Sequence, residues 1–134
     1  MAILKVAHLG HPVLRQVARP LGRTELGDSR TQTLIDDMLE TLREYDGVGL
    51  AAPQVHVPLR LFIVEIMPDN PRYPEQAEAE PVQMVMVNPL VEFLTDEKTL
   101  GWEGCLSIPD MRGMVPRYTK LSVTAWNRYG EDIK

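Results

Sequence analysis

The chain has 134 residues, 25% charged and 44% hydrophobic, which is ordinary for one soluble globular domain. Its 14 Lys and Arg against 19 Asp and Glu give a net charge of −5, and without a basic patch direct sequence-specific nucleic-acid binding has no electrostatic support. One cysteine excludes an internal disulfide and suits a reducing compartment; Ile3–Leu9 is too short for a signal peptide and no apolar run nears a membrane span, so a cytoplasmic protein with no membrane association is expected.

Pro12 suits the first turn of a helix, where its missing N–H leaves nothing unsatisfied. A short helix from Pro12 to about Ala18 is predicted, ended by Pro20. Ser29-Arg30-Thr31-Gln32 has the form of a capping box. Leu34, Ile35, Met38, Leu39 and Leu42 follow at helical spacing, with Asp36, Asp37, Glu40 and Arg43 on the other face. That pattern predicts an amphipathic helix to about Tyr45, stopping at Asp46-Gly47, with its apolar face in the core.

Gly47-Val48-Gly49-Leu50-Ala51-Ala52-Pro53-Gln54 is apolar, bracketed by glycine and closed by an amide. The glycines free the backbone where the helix ends. Ala51 and Ala52 are small enough to admit a strand or a ligand. Gln54 places a neutral hydrogen-bond donor at the rim of an apolar site.

Leu59–Ile66 is rich in branched apolar residues and reads as a buried strand. The segment 67–81 holds Pro68, Pro71, Pro74 and Pro81 together with Glu75, Glu78 and Glu80. It is a long loop, flexible or lid-like, because prolines and carboxylates give little to pack. Val82–Val87 is a second strand, bent at Asn88-Pro89 and continued by Leu90–Leu94. Thr95–Lys98 is a polar turn.

Glu103-Gly104-Cys105-Leu106-Ser107-Ile108-Pro109 carries the cysteine. A free cysteine is usually a small buried hydrophobe. Here Gly104 lets the backbone bend or approach closely, Glu103 stands beside it, and Pro109 stops the segment. Those residue types suit a metal ligand beside a tight bend. Trp102 reads as a packing residue. Tyr118–Trp126 alternates, with Leu121, Val123 and Ala125 on one face, and predicts a half-buried strand. Asn127–Gly130 is a turn with glycine at positive φ, and Glu131–Lys134 opens the return strand of a hairpin. A stop there leaves the first strand a raw edge, so residues 1–134 are expected to be a single domain that is C-terminally incomplete. The class is α+β, with antiparallel strands packed around one long amphipathic helix.

The segments Gly47–Gln54 and Glu103–Pro109, with Gly10-His11-Pro12-Val13-Leu14-Arg15 as a weaker third match, resemble the bacterial-type peptide deformylases from about residue 3 onward. The resemblance implies removal of the formyl group from the N-terminal methionine of nascent polypeptides. Its partners would be formyl-methionyl nascent peptides, met near the ribosomal exit tunnel. It implies that Cys105 is one metal ligand, and that the Gln54 amide and the Leu106 backbone N–H hold the oxyanion. Val48, Gly49 and Leu106 would line the methionine pocket, with Arg112 reaching the substrate further along. Glu103 and Arg117 would pair beneath the cysteine loop and hold it.

The implied cofactor is a divalent metal, natively Fe(II), with Zn(II), Ni(II) or Co(II) as substitutes, whose bound water attacks the formyl carbon. The family's H-E-x-x-H helix lies downstream of the cysteine segment. This chain has three histidines, His8, His11 and His56, none followed by glutamate and no two spaced by four. His8 and His11 have an H-x-x-H spacing, but Gly10 and Pro12 break the helix that would aim both rings together. The 134 residues alone are therefore expected to bind no stoichiometric metal and not to deformylate. The alternative is a non-catalytic module of deformylase ancestry that binds N-terminal peptides. A structural zinc module lacks four ligands.

Overall fold

The computed structural model describes residues 1–76 and 79–134. Helix α1 (Arg23–Gly27) is a single turn, and Asp28 separates it from the long helix α2 (Ser29–Glu44). The cap of α2 is Asp28, whose carboxylate accepts from the Arg30 N–H at 2.8 Å. Gln32 instead donates to the carbonyls of Leu26 and Arg128, at 2.8 and 2.9 Å. The capping box expected at Ser29–Gln32 therefore does not form. An ionised acceptor one residue earlier meets both the orphan N–H groups and the positive end of the helix dipole.

The apolar stripe of α2 is buried as its spacing predicts. Ile35, Met38 and Leu42 are wholly inaccessible, each contributing about 1.5–3 kcal/mol of burial. They share a core with Leu50, Leu61, Ile63, Val85 and Val87. These come from β1 (Gly49–Ala51), β2 (Leu61–Ile66) and β3 (Val82–Phe93). With β6 (Leu121–Trp126) and β7 (Asp132–Ile133), they form an antiparallel sheet in the order β1-β2-β3-β6-β7. Residues Leu61, Ile63 and Glu65 alternate onto the buried face of β2. Glu65 is thus a carboxylate on an apolar face, and it must find a partner there.

β2 starts at Leu61, because Leu59 is taken by a bridge to Arg19. β3 bends at Asn88, as Asn88-Pro89 predicts. Asn88 has φ 52°, and its side chain both accepts from the Leu21 N–H and donates to the Leu21 carbonyl, each at 2.8 Å. Those two bonds hold the bulge that shifts the β3–β6 register between Val87 and Leu90.

The N-terminal helix is shorter than predicted. A 3-10 turn covers Pro12–Arg15 and ends because Gln16 is extended. The first part of the segment 67–81 consists of turns around Asn70 and a 3-10 turn at Pro74–Gln76; Glu78 lies outside the described residues.

Strands β4 (Lys98–Cys105) and β5 (Ile108–Tyr118) form a separate two-stranded sheet. Two expectations fail here. Pro109 does not stop the segment; it lies inside β5, next to the hairpin tip, where a strand tolerates the missing N–H. Trp102 is not a packing residue and is 69% exposed. It stands opposite Met114, with Leu100 opposite Pro116 on the same face, and no strand of the larger sheet pairs with this ribbon among the described residues. β6 is half-buried, but only Ala125 of its predicted inner face is fully covered, and Leu121 is exposed. Gly130 takes the predicted positive φ, 81°, and β7 returns antiparallel to β6. No helix among the described residues is long and apolar enough to cross a membrane.

Candidate active site

Three parts of the chain converge on Cys105. The first is the 3-10 turn Ala52–Val55, which follows β1 directly and carries Gln54. The carbonyl end of the Gln54 amide accepts from the Ala51 N–H at 2.9 Å. That bond fixes which way the amide points, so its amino end faces the hairpin. Gln54 Nε2 donates to Ser107 Oγ at 3.0 Å and to Cys105 Sγ at 3.5 Å. His56, at φ 67°, closes the turn.

The second part is the tip of the β4–β5 hairpin. The register shifts between Gly104 and Cys105, and Cys105 pairs with Ile108. Only Leu106 and Ser107 lie between the strands. Leu106 turns inward and packs against the core, whereas Ser107 is buried with Gln54 as its donor. Cys105 stays exposed, contrary to the burial habit of free cysteine.

The third part is the extended N-terminal segment. The Ala7 N–H donates to the Gln54 carbonyl and the Leu9 N–H to the Ser107 carbonyl, both at 2.7 Å. Two amides of one segment thus splice the Gln54 turn to the cysteine tip. The segment is itself anchored on α2, through the Leu4 N–H to Thr41 Oγ1 at 2.8 Å and the Ala2 N–H to Asp37 at 2.7 Å.

Glu103 and Arg117 form a two-pronged ion pair at 2.8 and 2.7 Å. Glu103 stands opposite Gly113 and Arg117 opposite Thr99, so the pair runs diagonally across one face of the hairpin. The guanidinium fork holds the Glu103 carboxyl below its ordinary range. Both side chains are substantially exposed, so the pair contributes little to the stability of the fold. Arg112 is exposed opposite Gly104.

Gly49 begins β1 and Val48 stands just before it, four residues past the end of α2 at Glu44. A Cβ on Gly47 would lie 2.7 Å from Leu42 Cδ1 and 3.2 Å from Leu106 Cδ1. The backbone therefore passes between the helix and the hairpin tip with no room for a side chain. Close approach, not helix-capping freedom, explains this glycine; the positive φ belongs to Asp46, at 51°. Leu106 thus touches this passage at Gly47, one residue before Val48.

Among the described residues, no group of three or more His, Cys, Asp or Glu is placed to hold a metal ion. A catalytic centre uses three protein ligands, and Cys105 is one donor of that type. His11 and His56 meet each other edge to face, with centroids 4.6 Å apart, and His11 Nδ1 accepts from the Val13 N–H at 3.1 Å.

The sequence did not single out Ser107, the Ala7 and Leu9 amides, or Glu65. Ser107 was legible as a member of the cysteine heptad. The amide contacts had no side-chain signal.

An α+β frame that sets an exposed cysteine and an oriented amide beside the edge of β1 defines a class of site suited to an extended peptide. The model of the polypeptide deformylase family matches residues 3–134, and the chain belongs to that family. It is 44% identical over 128 residues to "Peptide deformylase 2" of a Nostoc species, covering 96% of this chain and 69% of that protein. It is 45% identical over 133 residues to "Peptide deformylase 1" of Bordetella pertussis, covering 99% and 71%. The Met-Ala-Ser-bound class I type b peptide deformylase of Acinetobacter baumannii superposes with a TM-score of 0.87 at 40% identity. That match covers 98% of this chain and 81% of the solved one. The family is metal-dependent.

Proposed function

We propose that this chain supplies the cysteine, the oxyanion amide and the pocket wall of an enzyme that hydrolyses the formyl group from N-formylmethionyl peptides. The observation that carries this reading is the Gln54 amide, oriented by Ala51 and aimed at Cys105 and Ser107. A donor fixed before the substrate arrives needs no reorganisation when charge develops. The reaction adds water across the formamide C–N bond and releases formate and a free amine. The formyl oxygen becomes negative as its carbon turns tetrahedral, and Gln54 Nε2 with the Leu106 N–H would receive it. Val48, Gly49 and Leu106 would receive the methionine side chain. The free edge of β1 would pair with the peptide main chain, which reads extended backbone more than side-chain identity. Arg112 would meet the peptide beyond the methionine. Glu103 and Arg117 would keep the cysteine tip in register.

The alternative reading, a non-catalytic module of deformylase ancestry that binds N-terminal peptides, predicts no formate release from formyl-Met-Ala-Ser. Gln54→Ala, made in the gene product at its full encoded length, tests the first reading. Its kcat on formyl-Met-Ala-Ser should fall about 10²–10³-fold, with KM little changed. An unchanged kcat would remove Gln54 from the oxyanion site.

A further inference from the structure

The one carboxylate on the buried face of β2 has two jobs. Glu65 is 7% exposed and takes three side-chain hydrogen bonds. Arg43 Nε and Nη2 donate to its two oxygens at 2.7 and 2.8 Å, and Gln83 Nε2 donates at 2.7 Å. Gln83 is its register partner on β3, and Arg43 lies in the last turn of α2. The backbone of Glu65 faces the other way along the sheet: its N–H donates to the Val48 carbonyl at 2.9 Å. One residue therefore holds the helix end through its side chain and the far end of the same turn through its amide.

The turn between those anchors needs holding. Asp46 sits in the left-handed region at φ 51°, an uncommon state for a residue with a Cβ. Gly47 is squeezed between Leu42 and Leu106. Every residue from Asp46 to Gly49 thus depends on where the end of α2 is fixed relative to β2. An apolar residue at position 65 would pack the same face, but it could not fix that distance, because apolar contacts carry no direction. The bidentate guanidinium fork does fix it, in both distance and plane.

We propose that Arg43, Glu65 and Gln83 form a positioning cluster that sets the location of Val48 and Gly49, and through them the fit of the methionine side chain. The proposal rests on the reading of Val48 and Gly49 as the pocket wall. It makes Glu65 a positioning residue, acting through β1 on substrate binding and not on the oxyanion.

Arg43→Met tests the cluster, with Arg30→Met as control, since the Arg30 side chain makes no ion pair among the described residues. Amide hydrogen exchange on the folded chain is the first readout. In Arg43→Met, exchange at the Glu65 amide, the donor to Val48, and at Leu50 should rise tenfold or more. Exchange at Ile35 and Met38, in the middle of α2, should change less than threefold. A uniform rise, or none, overturns the cluster as a local device. The second readout is hydrolysis of formyl-Met-Ala-Ser by the full-length gene product. KM should rise about fivefold with kcat within twofold, and Arg43→Lys should recover only part of the KM, because a lysine cannot make the fork. A fall in kcat at constant KM overturns the assignment to the pocket wall. If the wild-type protein does not act on the peptide, the deformylase reading fails, and the exchange readout still decides whether the cluster holds β1.

Discussion

Gly47→Ala perturbs the tightest point of the candidate site. The added Cβ would stand 2.7 Å from Leu42 Cδ1 and 3.2 Å from Leu106 Cδ1, whereas carbon atoms rest at about 3.5–4.0 Å. Leu42 is wholly buried and cannot swing into solvent. Leu106 is tied to the hairpin tip, whose neighbour Ser107 is held by Gln54 and Leu9. Relief therefore requires Leu42 or Leu106 to repack around the new methyl group. Overpacking of this kind costs about 1–3 kcal/mol. The alanine offsets about 0.4–1 kcal/mol by restricting the unfolded chain, which leaves a net loss of about 0–2.6 kcal/mol, about 1.3 at the middle of both ranges. Urea unfolding of the purified chain measures it. Gly27→Ala is the matched control: nothing lies within 4 Å of its added Cβ, and in a helix the change should stabilise by about 0.5–1 kcal/mol. If Gly47→Ala is stabilised as much as Gly27→Ala, the helix and the hairpin tip do not confine this backbone, and the account of the pocket wall fails with it.

Asp28→Ala should lower stability by about 0.5–2 kcal/mol in the same assay through loss of the α2 cap, while Ser29→Ala should change little; the reverse order would restore the capping box. The Arg43 fork, aided by Gln83, holds the Glu65 carboxyl below its ordinary range. A depressed carboxylate stabilises the fold fully above its unfolded value, about pH 4.3, and less as pH falls through its lower folded value. The stability difference between wild type and Glu65→Gln should accordingly narrow on acidification below about pH 4.3; a difference independent of pH would mean the charge has no role. Arg117→Ala should reduce turnover of the full-length gene product on formyl-Met-Ala-Ser by about 10–100-fold. Its Tm should move little, because the pair with Glu103 is solvent-accessible. A large Tm loss would make that pair structural.

The elements legible in the sequence were those set by local pattern. The Leu34–Leu42 stripe gave α2, Asn88-Pro89 gave the bulge in β3, and Gly130 gave the final turn. The two motif segments named Cys105 and Gln54, and the structure brings them within 3.5 Å. What failed depended on packing between distant segments. Trp102 looked like a core residue because tryptophan carries a large apolar area, but the β4–β5 ribbon leaves it 69% exposed. Pro109 looked like a terminator because the strand that contains it is defined only by pairing with residues before the tip. Glu65 sat unremarked in an apolar run, since its partners Arg43 and Gln83 lie 22 and 18 residues away. The splice of Gln54 to Ser107 by the N-terminal segment uses backbone amides, which leave no trace in side-chain identity.

The most direct test of the central claim is formate release from formyl-Met-Ala-Ser by the gene product at its full encoded length, beside its Cys105→Ala variant. The account predicts metal-dependent release of one formate per peptide by the wild type, and loss of both bound metal and turnover in the variant. Equal turnover by the two proteins would contradict it, because Cys105 and the tip that presents it would then have no part in the reaction.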